Sequence, residues 1–379
     1  MSRSLQIAFY APFKPLDHPR PSGDLVIGRG IADWLQEQGH GIRVPSTFRM
    51  RWVYRRPWRL FRAAGEYLRV LSRVRRQPPD LWLTYHCYYK APDLFGPGIC
   101  RRLALPYVII QGSFATKYRR RMATLAGYLL NRRALLAADL HITTRQRDSR
   151  NLRRLIPEER MVWVSPGLHT EQFPVDVQAG RAMRSLWQAG DRPVIISAAM
   201  LRQDVKSQGI EWLLASCHRL QRQGYGFLLV VVGDGPERQR LERLAGRLLR
   251  PGSVRFVGRV ERREMHRMYA AGDLFVFPGI RESLGMVFLE AQCCGLPVVA
   301  FANGGIPEVV RHGRTGLLTP LFEEEPFDRA VATLLENGEL RRAMGRRAAE
   351  HVRARHDLRR NYRRLEGALF DLVGRRQAS

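Results

Sequence analysis

Leu274-Phe-Val-Phe-Pro-Gly-Ile-Arg-Glu-Ser-Leu-Gly-Met-Val-Phe-Leu-Glu-Ala-Gln-Cys-Cys-Gly-Leu-Pro-Val-Val-Ala-Phe301 is the stretch whose reading decides the fold. Leu274–Phe277 is an apolar run of strand length, and Pro278 and Gly279 break it into a loop that lasts to Gly285. Met286 to Cys294 reads as a helix, Gly295-Leu-Pro stops it, and Val298–Phe301 is a second strand. Strand, loop, helix, turn and strand in that order make a βαβ unit, so the two strands lie parallel.

The same alternation extends outward in both directions. Upstream, Val194–Ala198 is a strand, a helix is expected from about Gly209 to Arg222, and Phe227–Val232 and Val254–Val257 are strands. From Phe327 onward the pattern is helical. The first half shows Leu5–Tyr10 as a strand, a helix over Asp24 to Gln38, and short apolar runs near Ile42–Val44 and at Leu81–Tyr85, Tyr107–Ile110, Leu140–Thr143 and Met161–Val164. Between the halves, Ser165–Asp176 is polar and contains prolines. The chain of 379 residues is therefore expected to be α/β, in two domains: residues 1–170, residues 171–355, and a C-terminal helix over 356–379 that returns toward the first.

Composition narrows the class. Hydrophobic residues make up 45% and charged residues 26%, which suits a globular chain. No run of about 18 apolar residues suggests a transmembrane helix. The start at Met1-Ser-Arg-Ser lacks a signal-peptide core, so a cytoplasmic location is expected. The five cysteines (Cys87, Cys100, Cys217, Cys293 and Cys294) show no metal or disulfide spacing, and no Asp-x-Asp motif appears; no metal and no cofactor is expected. The formal charge is +28, almost all from arginine, and attracts phosphate in some form. The chain shows no recognition helix, zinc-finger spacing or aromatic RNA-binding motif, so a nucleic-acid partner is not expected.

The loop before Met286 carries the chemistry. A glycine-containing loop that opens a helix presents backbone N–H groups beside the positive helix end, where phosphate oxygens bind. Glu282 lies before the helix and Glu290 about two turns inside it, so one carboxylate can face the sugar end of a ligand while the other accepts from a ribose diol. The plainer reading makes Glu282 a cap and Glu290 a solvated charge. Against it, Glu290 sits in the apolar run Met-Val-Phe-Leu-Glu-Ala, where an unpaired charge is costly.

Pro278 to Ala300 resembles the E-x7-E signature of retaining family 4 glycosyltransferases of the GT-B fold. Asn303-Gly-Gly-Ile-Pro-Glu, Gly313-Arg-Thr-Gly-Leu-Leu, Val232-Gly-Asp-Gly-Pro-Glu and Val254-Arg-Phe-Val-Gly are similar to that family's neighbouring landmarks. The Ser165-Pro-Gly-Leu-His linker is also similar, with His169 where the family has Asp. The resemblance implies two Rossmann-like domains facing each other across a crevice, with C-terminal helices crossing back. It implies transfer of a sugar from a nucleotide-sugar donor with retention and without metal, to a lipid-linked or cell-envelope glycan acceptor. A GT-B relative such as a nucleotide-sugar epimerase or a glycan phosphorylase is the alternative.

By position, the resemblance places Glu282 against the donor sugar. Ser283, Leu284, Gly285, Met286 and Val287 would offer backbone contacts to sugar and diphosphate, Glu290 would take the ribose hydroxyls, and Glu308 would support the pocket. The family's phosphate-neutralising loop here reads Ala198-Ala-Met-Leu-Arg-Gln-Asp-Val-Lys; Lys206 matches, Met200 stands where an Arg is usual, and Arg202 is the candidate substitute. In the first half, Gln111 occupies a place where His-Gly is common, His86 is a candidate for the acceptor side, and Gly23 resembles the family's glycine loop.

Ten arginines and one acid, Glu66, lie between Arg49 and Arg76. On a helix, Arg55, Arg59, Arg62, Arg69, Arg73 and Arg76 share one side, with Leu60, Phe61, Ala64, Leu68 and Leu71 roughly opposite. A second cluster, Lys117-Tyr-Arg-Arg-Arg, precedes an apolar run from Met122. Two readings follow: a segment lying on an anionic membrane at its inner face, or a helix packed on its sheet by the apolar side.

Overall fold

The computed structural model describes residues 4–19, 23–283 and 285–377. The chain forms two compact units: residues up to Ser165 together with those from Arg360, and Pro166–Arg359.

The first unit is built on β1 (Gln6–Tyr10), α1 (Gly23–Glu37), β2 (Gly41–Arg43), α2 (Pro57–Arg76), β3 (Leu81–Tyr85), α3 (Gly96–Leu103), β4 (Tyr107–Ile110), α4 (Met122–Ala137), β5 (Leu140–Thr143), α5 (Gln146–Leu152) and β6 (Met161–Trp163). Its six strands are all parallel, in the order β2-β1-β3-β4-β5-β6. Strands covered on both faces are apolar at nearly every position, and Leu81 to Tyr85 and Tyr107 to Ile110 are buried throughout. On one face Ala8, Tyr10, Trp82, Tyr107 and Ile109 join a core with Ala63, Val70 and Val74 of α2, Ile99 of α3 and Leu135 of α4. Elsewhere in this unit the C-terminal segment packs on α1 and the turn after it: Tyr362 lies 5.6 Å from Trp34, and Glu366 pairs with His40 at 2.9 Å.

Buried Asp93 anchors α3. Its Oδ1 accepts from the amides of Phe95 and Gly96, at 2.8 and 2.9 Å, and its Oδ2 from the Thr84 and Tyr107 hydroxyls. A charge inside a core is tolerated when its acceptor capacity is filled in this way.

The second unit comprises α6 (Val177–Leu186), β7 (Val194–Ala198), α7 (Val205–Arg222), β8 (Leu228–Val232), α8 (Arg238–Leu248), β9 (Val254–Gly258), α9 (Met265–Ala270), β10 (Leu274–Val276), α10 (Met286–Cys293), β11 (Val298–Phe301), α11 (Ile306–Val309), β12 (Gly316–Thr319), α12 (Glu324–Glu336) and α13 (Gly338–Arg355); α14 (Leu358–Gln377) follows. Its parallel sheet runs β12-β11-β10-β7-β8-β9. The order reverses between β7 and β10, and a ligand of such a sheet binds outside the carboxyl ends of the strands at that reversal.

Two expectations need correction. The helix expected from Gly209 begins four residues earlier, because Asp204 caps it by accepting from the Lys206 amide at 2.8 Å. Gly209 is interior to α7 because the helix passes close over a ring: a Cβ there would meet Phe277 at 2.9 Å. On α2, most of the apolar side that one of the two readings packs on the sheet faces outward, and of it only Leu71 packs against the core. Leu60, Phe61, Ala64 and Leu68 are exposed, while Ala63, Val70 and Val74 face the core. The strand β12 was not anticipated. All five cysteines are free and buried.

Gly233 and Gly235 support the loop after β7. Gly233 has φ 139, and a Cβ on it would lie 1.8 Å from the Ala199 carbonyl oxygen; at Gly235 the Leu201 oxygen would be met at 2.3 Å. The two loops are laced by Leu201 N–H to the Asp234 oxygen and Glu237 N–H to the Leu201 oxygen, both 3.0 Å. Gly233→Ala is expected to lose about 3 kcal/mol of stability from strain plus a backbone clash. Gly252→Ala, with φ 72 but nothing within 4 Å, is expected to lose about 1 kcal/mol. Urea midpoints at constant slope read both.

Candidate functional site

The loops after β7 and β10 border the sheet reversal, and their side chains meet there. Lys206, second residue of α7, places Nζ 2.8 Å from Glu282 Oε2 and 5.9 Å from the centre of the Phe277 ring. The two side chains are largely buried, at 28% and 17% exposure. Burial opposes ionisation of Glu282, but the charge and hydrogen bond of Lys206, with the amides of Ser283 and Gly285, prevail and hold its carboxyl below the usual range.

The loop that carries Glu282 is shaped by backbone, not by helix or strand. Gly279, Arg281 and Gly285 all have φ between 55 and 70. Asn303 clamps it, accepting from the Arg281 amide at 3.0 Å and donating to the Gly279 oxygen at 3.1 Å. Gly304 (φ 60) comes so near that a Cβ would lie 1.8 Å from the Glu282 carbonyl oxygen, which accepts from Gly305 N–H at 3.0 Å. This contact explains the glycine at 304. Gly285 then precedes the first turn of α10, whose leading residues Met286 and Val287 are half-buried; Ser283 is exposed. Leu284 lies outside the described residues.

Glu290 is buried on α10; it accepts from the Tyr269 hydroxyl at 3.1 Å and forms an ion pair with Arg262 Nη2 at 3.0 Å. Burial raises its pKa, offset only in part by the Arg262 charge and the Tyr269 hydrogen bond. Arg262, on a short helical turn after β9, and Tyr269, on α9, were not anticipated from sequence. Nothing distinguishes Arg262 among the many arginines of this chain. Tyr269 reads as a core residue, and its ring is in the core.

The remaining candidates fall as follows. Arg202 is exposed on the loop after β7, and Met200 beside it is also exposed. Glu308 is half-buried in the first turn of α11. His86 and Gln111 belong to the first unit and follow β3 and β4 directly. Each extends its ladder through one more N–H, to Ile110 and Ile142 oxygens at 2.9 Å, and then turns with φ 61 and 55. The His86 ring lies 5.1 Å from both Phe13 and Tyr88, and Gln111 accepts from the Tyr85 hydroxyl at 3.3 Å. Gly23 opens α1, after the loop from β1. In this sheet the order reverses between β1 and β3, so Gly23 and His86 follow the two strands that flank the reversal.

Comparison with known proteins matches this architecture. The fold is GT-B: HepE of Anabaena in complex with UDP superposes with a TM-score of 0.74 at 20% identity, covering 97% of this chain and 100% of that one. Residues 183–351 match the family model described as glycosyl transferases group 1. A GDP-mannose-dependent alpha-(1-6)-phosphatidylinositol monomannoside mannosyltransferase of Mycolicibacterium smegmatis is 34% identical over 232 residues, 59% of this chain and 58% of the relative. The alpha-D-kanosaminyltransferase of Streptomyces kanamyceticus is 31% identical over 224 residues, 59% and 57%. The chain thus spans less than three-fifths of the length of these curated relatives.

A double-mutant cycle on Lys206→Met and Glu282→Gln is expected to give a coupling of about 1–2 kcal/mol at pH 7. Because the folded carboxyl titrates below its unfolded value, the coupling is fully present above the unfolded pKa. It persists near pH 4.3, where an ordinary glutamate is half-protonated, and is lost as pH falls through the lowered value. Denaturant titrations of the four proteins across that range measure it.

Proposed function

We propose that this chain is a retaining glycosyltransferase that moves a sugar from a nucleotide-sugar donor to an acceptor. The observation that carries the reading is the partly buried Lys206–Glu282 pair at the sheet reversal of a unit matched by the group 1 family. Lys206, Arg202 and the amides of the first turn of α10 supply positive potential for a diphosphate without a divalent ion. When the diphosphate takes the ammonium, the Glu282 carboxylate next to it is left to face the sugar. Glu290 accepts from Tyr269 on one oxygen and is ion-paired with Arg262 on the other, and it retains lone pairs for a ribose diol. The acceptor is a lipid-linked or cell-envelope glycan at the inner face of a membrane. The phosphatidylinositol mannoside named for a 34%-identical relative supports that class.

Transfer from radiolabelled nucleotide-sugar is expected to fall at least about a hundredfold in Lys206→Met and Glu282→Ala. In Glu290→Ala donor binding weakens as well, read as a smaller thermal shift with GDP-, UDP-, ADP- or dTDP-sugars. Activity unchanged in all three folded variants contradicts the assignment, as does strict dependence on a divalent ion under EDTA. Sugar isomerised with donor alone replaces transfer by epimerisation.

A further inference from the structure

The outward turn of α2 leaves apolar side chains in water that nothing in the described chain covers. Phe61 is 79% exposed and Leu68 64%, and with Gly65 and Ser72 they form one stripe along the helix. Helix α4 repeats the arrangement: Met122 (86%), Leu129 (53%) and Leu136 recur every seven residues on its outer side. The two helices are neighbours. Arg55, just before α2, donates to the Ala123 oxygen in α4, and Tyr67 of α2 lines one cavity with Arg133 of α4. Both stripes therefore belong to one face of the first unit. Single exposed apolar residues are ordinary, but two such stripes on one face are a patch.

Between the stripes the surface is basic and hollow. Arg101 and Arg102 of α3, with Arg133, line one depression, and Arg101, Arg132 and Arg133 line its neighbour, about 650 Å³ in volume. Among the described residues no carboxylate pairs with Arg101, Arg132 or Arg133. The acids nearby are already engaged: Asp139 pairs with Arg376 at 2.6 Å, and Asp93 holds α3. Tyr107, first residue of β4, lines the larger hollow, which places it at the amino end of the sheet, away from His86 and Gln111.

We infer that this α2–α3–α4 face docks on an anionic phospholipid bilayer, with the apolar stripes entering the headgroup–acyl boundary and the arginine hollows receiving lipid phosphates. Apolar side chains flanked by unpaired arginines match the two layers of such a surface in both polarity and charge. A duplex nucleic acid would match the arginines but not Phe61, Leu68 or Leu129. The inference stands apart from the transfer reading, since it uses none of Lys206, Glu282 or Glu290.

Cosedimentation of the full chain with phosphatidylcholine vesicles, with and without one-third phosphatidylglycerol, tests it. Binding is expected only to the anionic vesicles and to weaken as salt rises. Phe61→Ser/Leu68→Ser should weaken it by about tenfold or more, and Arg101→Gln/Arg133→Gln should reduce it and flatten its salt dependence. These side chains are exposed, so circular dichroism is expected to be unchanged. Independently of those variants, a polarity-sensitive dye on Ser72→Cys, in a chain whose native cysteines are all buried, should shift to the blue on anionic vesicles. No binding, or no dye shift on binding, overturns the inference. Binding indifferent to Phe61 and Leu68 and equalled by duplex DNA also overturns it, in favour of a polyanion surface.

Discussion

The Lys206–Glu282 ion pair joins two residues 76 positions apart in the chain, and much of the second unit is arranged to make that meeting possible. The sheet reversal places the ends of β7 and β10 side by side. Asp204 starts α7 early enough to put Lys206 in its first turn. Gly233 and Gly235 allow one loop to be buttressed from behind; Asn303 and Gly304 do the same for the other. Neither buttress involves a catalytic type of side chain. Both bring backbone against backbone at distances only glycine permits, and the second adds the Asn303 side-chain amide.

This division of labour accounts for the electrostatics. A lysine and a carboxylate withdrawn from water cost solvation energy, and their attraction offsets it only with good geometry and further donors. Glu282 has those donors in Ser283 and Gly285, and its carboxyl is held low. Glu290, eight residues on, is more deeply buried and its carboxyl is pushed up instead. Two glutamates on one short segment thus differ in proton affinity because one faces a lysine and backbone amides and the other a tyrosine and a half-exposed arginine.

Much of the fold was legible in the sequence because parallel strands buried on both faces are plain apolar runs. Leu81–Tyr85, Tyr107–Ile110, Leu140–Thr143, Val194–Ala198 and Val298–Phe301 have the limits expected of them. Helix faces were less legible. On α2 the larger apolar residues suggested the buried side, yet the core there accepts Ala63, Val70 and Val74, and the bulkier Phe61 and Leu68 are left outside. Helix wheels register which residues are greasy, not which the sheet has room for. β12 escaped because Gly316–Thr319 is short and contains a glycine. In the candidate site, the positions of Glu282, Lys206 and Glu290 could be read from motifs. Their partners could not: Arg262 and Tyr269 reach Glu290 from elements whose packing no local pattern encodes.

The first unit is closed by residues that are made long after its sheet. Tyr362 covers Trp34, and Glu366 reaches His40, across more than three hundred residues of chain. During synthesis from the amino end, the early sheet can form its parallel ladders while the second unit folds behind it. One flank of that sheet stays open until Leu358–Gln377 is released. In the interval α1 presents an uncovered apolar side, so the early half of this chain is where holding chaperones would be expected to bind, and truncation before Tyr362 would harm a unit that begins at the opposite end of the sequence.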